Sequence, residues 1–405
     1  MSIEGQLMFY YWNLFPYEDC CRWFSYMNGY ILPLREFAFG SGEKTFLRYL
    51  SFNSALDFKL NTRRIIPNRI DIGAVYNIAP PLAVIGQTKK STSFAVTQRE
   101  IIFDIDISDY KEVRTCCSQS EICRKCWKYM ALACKILDTS LREDFDFEHL
   151  LWTYSGNRGI HCWVCDEKAR KLTVQERKSI ADFLQVVKPG AFNVKRVIIN
   201  KEPTFSIKRA LEIIEPNFIQ VCIEEQNVLG TEEGIENFCN TFLAVYDEET
   251  KGIVKEIFQQ FETSIERWNA FEEFLKKKNN WQSNYEIEEI KLQFVYPRLD
   301  VNVTTVLTHL LRCPFSPHIG TNRICVPFDP KKVDDFDPTT STNFPGLFDE
   351  LHKNENDNEN FSQINSQHNK NNSSEKNLKN LEKFRQSLFI FNEFLKNLEK
   401  YKFCS

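Results

Sequence analysis

The sequence predicts an α/β (α+β) chain in which strands and helices alternate around a large core. Ile101, Phe103, Ile105 and Ile107 alternate with Asp104 and Asp106 at the period of a β-strand, so the two carboxylates share the face opposite the apolar one. Stretches such as Cys126 to Arg142 and Glu232 to Lys278 instead carry a helical pattern. A chain of 405 residues that is 42% hydrophobic can also bury a sizeable core and hold two or three subdomains.

Along the chain, Gln6 to Phe58 is dense in aromatics, including Tyr10, Tyr11, Trp12 and Tyr30, and reads as helices and strands of a packed core. Asp71 to Ser108 is strand-like. A helix is expected around Cys126 to Arg142, followed by a strand from Leu151 to Tyr154 that leads into Ser155 and on to Val164. Val174 to Val186 and Glu232 to Lys278 look helical and polar enough to form a separate layer, and the β pattern is expected to return from Ile290 to Tyr296 and continue past Asp300. This gives a split α/β core of residues 1–190 and 286–345, with a mainly helical subdomain of residues 191–285 between its halves. Residues 353–373 are Asn-rich and polar, too poor in apolar surface to offset their ordering entropy, and read as a disordered linker. Residues 374–405 read as an amphipathic helix with Leu378, Leu381, Leu388, Leu395 and Leu398 on one face and Ser373 or Ser374 as its cap. It either packs back on the core or docks a partner.

A formal net charge of −4 excludes a globally basic coat, so any contact with nucleic acid has to rely on local patches. Arg63 and Arg64 with Arg69, Lys195 with Arg196, and Lys208 with Arg209 are the candidates, and each reads equally well as solvated surface. No apolar run reaches the length of a membrane span, and Met1 to Gly5 lacks the features of a secretory leader. The expectation is a soluble intracellular protein without membrane contact. Fourteen cysteines then point to reduced thiols and a metal rather than to a disulfide framework.

Four constellations carry chemistry. Asp104 and Asp106 are adjacent carboxylates on a rigid strand, an arrangement that persists most easily where hard cations bind between them, although an isolated Asp-x-Asp is commonly a solvated strand face. Cys116, Cys117, Cys123 and Cys126 place four thiols within residues 116–126, a spacing able to converge tetrahedrally on zinc; the alternative is a cluster of unligated buried cysteines. Cys162 and Cys165 repeat the Cys-x-x-Cys spelling, but on a strand they face opposite sides and read as buried. The turn Ser155-Gly156-Asn157-Arg158-Gly159-Ile160-His161 combines glycines that admit close backbone approach with hydroxyl, guanidinium and imidazole donors suited to phosphate. Finally, Tyr296-Pro297-Arg298-Leu299-Asp300 offers a third carboxylate, and the run from His309 to His318 adds Arg312 and His318. Each of these last residues, taken alone, is also an ordinary salt-bridging or hydrogen-bonding group.

In combination these motifs resemble the small catalytic subunit of archaeal and eukaryotic DNA primases, of the eukaryotic type. The likeness extends to Arg35-Glu36-Phe37, Arg48-Tyr49, Ser51-Phe52-Asn53 and Asp71 to Tyr76, and runs from about Tyr10 to Pro330, weakest in the helical middle. It implies a primase catalytic core with an RRM-like mixed sheet, a zinc-binding element and a helical subdomain. It further implies that Asp104, Asp106 and Asp300 bind two Mg²⁺ or Mn²⁺ ions, that Ser155, Arg158, His161, Arg312 and His318 engage nucleotide phosphates, and that Asp71 meets the ribose. Glu36 and Arg48 match positions near the nucleotide, and Cys116, Cys117, Cys123 and Cys126 match a structural Zn²⁺ site. The implied activity is template-directed synthesis of short RNA primers from ribonucleoside triphosphates on a single-stranded DNA template. The implied partners are a primase large subunit, as a heterodimer, and the DNA polymerase alpha complex in the nucleus. Two departures stand out: Asn157 where many relatives carry a second Arg, and Arg312 where they often carry Lys, which keeps charge but changes fork geometry. Two other readings remain. Ile101 to Ser108 also resembles the opening strand of haloacid-dehalogenase-type phosphatases, with Asp104 as nucleophile and Asp106 as acid/base, and a non-enzymatic zinc-bearing nucleic-acid-binding module is the third option.

Overall fold

The computed structural model describes residues 2–41, 45–80, 94–118, 121–187, 197–199, 201–244, 246–278, 285–357 and 380–404. Helices α1 (Ile3–Asn13) and α2 (Tyr17–Ser25) open the chain; the Ser2 side chain caps α1 by accepting from the Gly5 N–H. Strands β1 (Arg35–Ser41) and β2 (Thr45–Leu50), helix α3 (Ala55–Ile65), and strands β3 (Arg69–Tyr76), β4 (Val96–Gln98) and β5 (Ile101–Asp106) follow. Then come α4 (Arg124–Glu143), β6 (Leu150–Tyr154), β7 (Gly159–Val164), α5 (Glu167–Arg170) and α6 (Val174–Leu184). Thr173 and Glu176 close a reciprocal capping box at the start of α6.

A helical lobe comprises α7 (Phe205–Phe218), which runs into a π-helical turn at Ile219–Glu225, then α8 (Glu232–Thr241), α9 (Glu248–Gln259), α10 (Ser264–Lys278) and α11 (Glu286–Val295). The chain returns through α12 (Val301–Thr305) and the short strands β8 (Leu311–Arg312), β9 (Pro317–His318), β10 (Arg323–Ile324) and β11 (Val326–Pro327). It ends in α13 (Phe344–Asp357) and α14 (Asn380–Cys404).

The strands form two main sheets, ordered β2-β1-β3-β4, with β8 also on β3, and β11-β6-β7-β5; β9 and β10 make a small hairpin. All these pairings are antiparallel. Buried charge joins the sheets. Glu100, at the head of β5, pairs with Arg35 of β1 at 2.9 Å and lies 3.6 Å from Arg99, and it accepts from the Tyr26 hydroxyl. Arg35 and Arg99 both donate to the Gly73 carbonyl of β3, and Arg99 reaches the His309 carbonyl as well. Burial by itself would push the Glu100 carboxyl up, but Arg35 and then Arg99 outweigh it and hold the group well below the usual carboxylate range.

Residues 290–296 correct the sequence reading, because Glu286–Val295 is a helix and not a strand. Every side chain from Glu289 to Val295 is buried, so polar residues mark no solvent face, and a short apolar run of this kind cannot be typed by periodicity. Phe294 stacks on Phe242 with ring centroids 4.1 Å apart and packs on Phe218 and Phe238, which ties α11 into the aromatic core of the helical lobe. The C-terminal segment needs a second correction: α13 extends to Asp357, so the Asn-rich stretch begins as helix, and the rest of 353–373 lies outside the described residues. Helix α14 starts at Asn380; Leu378 and the proposed caps Ser373 and Ser374 also fall outside them. α14 packs back on the core through Phe384, Phe391 and Leu395, with Phe391 against Trp23 and Phe315 and with Glu399 paired to Arg22. Among the described residues no helix is long and apolar enough to cross a membrane.

Candidate functional site

On β5, Ile101, Phe103 and Ile105 are fully buried, whereas Asp104 and Asp106 face the other way and keep partial exposure, as the alternation requires. Antiparallel pairing sets Asp104 opposite His161 and Asp106 opposite Gly159 on β7. Asp300 arrives from nearly two hundred residues away as the cap of α12. Its N–H donates to the Asp104 carbonyl at 3.2 Å, its carboxylate accepts from the Asn302 N–H, and Thr304 anchors the same helix to the Ile102 carbonyl. Burial, reinforced by Asp106, Asp300 and Asp109, pushes the Asp104 carboxyl up to about 7. Four carboxylates therefore act on one region, and three like charges around a part-buried acid make it a site for cations.

The turn after β6 closes against this strand. Ser155 accepts from the Asn157 and Gly159 N–H groups, so its hydroxyl shapes the turn, and Arg158 pairs with Asp106 at 2.8 Å. Gly156 has φ +83°, and a Cβ there would press on His318 and the Ile324–Cys325 backbone; a Cβ on Gly159 would fall 2.5 Å from the Ile105 carbonyl oxygen. His161 is buried with Nε2 3.6 Å from Asp104, and burial, then Arg312 and Arg69, push its imidazole down to about 3, so the ring is neutral. Its buried Nδ1 finds no partner among the described residues. The same causes push His318 down to about 4; its ring lies 3.0 Å from the Thr321 hydroxyl, which donates to the Gly156 carbonyl.

The other sheet supplies the remaining candidates. Asp71 faces Arg312 across the β3–β8 pair and ion-pairs with Arg69 at 2.5 Å. Arg312 is buried and donates to the Pro317 carbonyl. Glu36 is wholly buried: it accepts from Arg48, the Tyr76 hydroxyl and the Tyr49 N–H, and a Cβ on Gly73 would strike it. Its geometry suits it to hold Arg48, which stays over a third exposed. Three residues that the sequence reading did not assign to the site belong here. Arg69 shares the Asp71 face of β3 by simple alternation, Asp109 follows Asp106 by one turn, and His309 stands in the fields of Asp300, Arg99, Asp71 and Arg48. The sequence marks Arg69 only as part of a basic patch and His309 only as the start of the His309–His318 run, whereas Asp109 is legible from its spacing to Asp106. Of the surface patches, Arg209 is absorbed by ion pairs to Glu143 and Asp144, and Lys195 with Arg196 lies outside the described residues.

Cys116, Cys117, Cys123 and Cys126 bring their sulfurs within 4.8 Å of one another. A Zn–S length of about 2.3 Å puts tetrahedral sulfurs about 3.8 Å apart. The Cys116–Cys123 and Cys123–Cys126 separations, 3.5 and 3.9 Å, bracket that value, so the donor set fits the ion. Cys123 caps α4 and Cys126 lies in its first turn; the Cys116 thiol is drawn down to about 5, chiefly by the hydrogen bond from Cys126, and the same bond pushes the Cys126 thiol up, so Cys116 is the thiolate of this pair and Cys126 its donor. Cys162 and Cys165 are buried in the core, as expected.

Fold and donors together define a class: an α/β protein with a carboxylate centre faced by cations and a separate thiolate metal site. The family model described as DNA primase small subunit matches residues 103–330. The chain is 37% identical to the DNA primase small subunit of Drosophila melanogaster over 98% of its own length and 92% of that protein. It is 35% identical to the Schizosaccharomyces pombe DNA primase small subunit (88% and 80% covered) and 34% to that of Saccharomyces cerevisiae (87% and 86%). The chain belongs to the DNA primase small subunit family. The strand of Asp104 and Asp106 thus falls within this family rather than among haloacid-dehalogenase-type phosphatases.

Proposed function

We propose that this chain is the catalytic subunit of a DNA primase, a nucleotidyltransferase that copies single-stranded DNA into short RNA primers from ribonucleoside triphosphates. The observation that carries the reading is the delivery of Asp104, Asp106 and Asp300, from two distant parts of the chain, to one centre bordered by the Ser155–His161 turn. Asp104, Asp106 and Asp300 would hold two Mg²⁺ or Mn²⁺ ions, which when bound activate a 3′-hydroxyl and neutralise the pyrophosphate that leaves. Arg158, now paired with Asp106, is placed to turn to a triphosphate, and His161, His318 and Arg312 add donors beside it. Asp71, steadied by Arg69, suits a ribose hydroxyl, and Glu36 sets the exposed Arg48. The four thiols would hold a structural Zn²⁺. Residues 1–190 and 286–345 would serve as the catalytic core around the helical subdomain.

The relatives' name, small subunit, supports pairing with a large subunit, and we extend this to a heterodimer within the DNA polymerase alpha complex, acting in the nucleus. The test is incubation of the chain with single-stranded DNA, labelled ribonucleotides and Mg²⁺ or Mn²⁺. Template-dependent RNA products that vanish in Asp300→Asn support the reading; phosphate release from phosphomonoesters without RNA overturns it.

A further inference from the structure

Gln226 belongs to the helical lobe, yet its side chain is spent on the loop that carries the first two thiols. Its Oε1 accepts from the Thr115 N–H at 2.8 Å and the Cys116 N–H at 3.2 Å, and its Nε2 lies 3.4 Å from the Cys116 sulfur. The two backbone donors fix which end of the amide is oxygen, so an N–H must face the sulfur. The Gln226 carbonyl accepts from the Thr115 hydroxyl, and the side chain is buried. What aims it is the π-helical turn at Ile219–Glu225: the Gln226 N–H bonds the Val221 carbonyl five residues back, which re-registers the chain after α7. Further contacts follow the same seam, with Glu225 pairing Lys128, Cys222 facing the Tyr129 hydroxyl, and Asn237 bonding the Glu112 carbonyl.

We propose that Gln226 is a positioning residue of the four-cysteine metal site, so that metal retention and docking of the helical lobe are linked through this one side chain. The proposal rests on the metal reading of Cys116, Cys117, Cys123 and Cys126. Four thiolates on a divalent cation carry a net charge of about −2, and a neutral buried N–H is the donor that relieves the sulfur without adding a competing charge. Oε1 meanwhile stiffens the backbone at Thr115 and Cys116, which sets the sulfur's direction. Linkage works both ways: losing the ion frees the loop that Gln226 grips, and losing the grip weakens the site.

Gln226→Glu keeps an oxygen for the two backbone donors but turns the group beside the sulfur into a carboxylate, whereas Gln226→Met removes both functions without charge. Zinc transfer from the intact protein to a chromogenic chelator is expected to be about 10- to 100-fold faster in both variants. After Co²⁺ substitution, the sulfur-to-cobalt charge-transfer band should move to lower energy, a change that loss of packing alone would not produce. In the wild-type chain, zinc removal should cost Ile219–Gln226 its hydrogen-exchange protection while α9 and α10 keep theirs. Wild-type release and an unmoved band in either variant overturn the inference, as does unchanged protection in the turn. Zinc bound with Gln226 silent refutes this inference alone; a wild-type chain that takes up no zinc refutes the metal reading and the inference with it.

Discussion

Changing Glu100 to Gln removes the one negative charge that two buried guanidinium groups share, while keeping the shape of the side chain. Arg35 and Arg99 are almost wholly inaccessible, so neither can turn to water. Removing one partner of such a pair costs about 3–5 kcal/mol, because a buried charge is left uncompensated. Both arginines keep backbone acceptors, Phe24 and Gly73 for Arg35 and Gly73 and His309 for Arg99, so the loss should fall at the low end, about 3 kcal/mol, or roughly a hundredfold in the folding equilibrium. Urea unfolding followed by tryptophan fluorescence measures it; Trp163 lies 5.6 Å from the Arg99 guanidinium and reports on this core. The pH profile gives a second reading. Glu100 has a folded value well below its unfolded one, about 4.3, so its contribution is fully present above the unfolded value and is lost as pH falls through the folded one. The gap between wild type and Glu100→Gln should stay flat from about pH 5.5 to 8 and narrow below about pH 4. Adding Arg35→Met should restore part of the loss. A cost under about 1 kcal/mol, or a gap that widens in acid, would refute the role of this ion cluster as the joint between the sheets.

Asp104→Asn, Asp106→Asn and Asp300→Asn should each abolish nucleotide addition with circular dichroism unchanged, and the triple variant should be scarcely worse than any one, since the groups act as a unit; retained synthesis in Asp300→Asn removes that residue from the site. Purified protein should hold one zinc, lost together with thermal stability in Cys123→Ser with Cys126→Ser, whereas Cys162→Ser and Cys165→Ser should keep it, as metal analysis would show. Arg158→Ala and His161→Ala should weaken nucleoside triphosphate binding and primer synthesis by tenfold or more while single-stranded DNA binding holds; the reverse pattern in a titration would assign the turn to the template path.

Much of the site was legible because its cues are local. A period of two fixes which way Asp104 and Asp106 point, a cysteine spacing places two thiols at the start of a helix, and Gly156 and Gly159 mark a turn that no larger residue fits. The resemblance joined Asp300, already a candidate carboxylate, to the pair on the strand and added Asp71 and Arg48, residues whose neighbours in sequence say nothing of their neighbours in space. Glu36 shows the limit: its motif was visible, but its burial among Arg48, Tyr49 and Tyr76 was not.

What the sequence by itself determined is therefore the set of chemical groups, the strand and helix that carry them, and the family. What only the tertiary structure decided is which groups meet: Asp300 against Asp104, Arg69 against Asp71, Glu100 between two arginines, Gln226 against Cys116, and a run at Ile290 that buries all its faces as a helix. Periodicity and spacing are properties of a few consecutive residues. Burial and charge pairing are set by contacts between segments tens to hundreds of residues apart, where desolvation makes each pairing either strongly favourable or prohibitive.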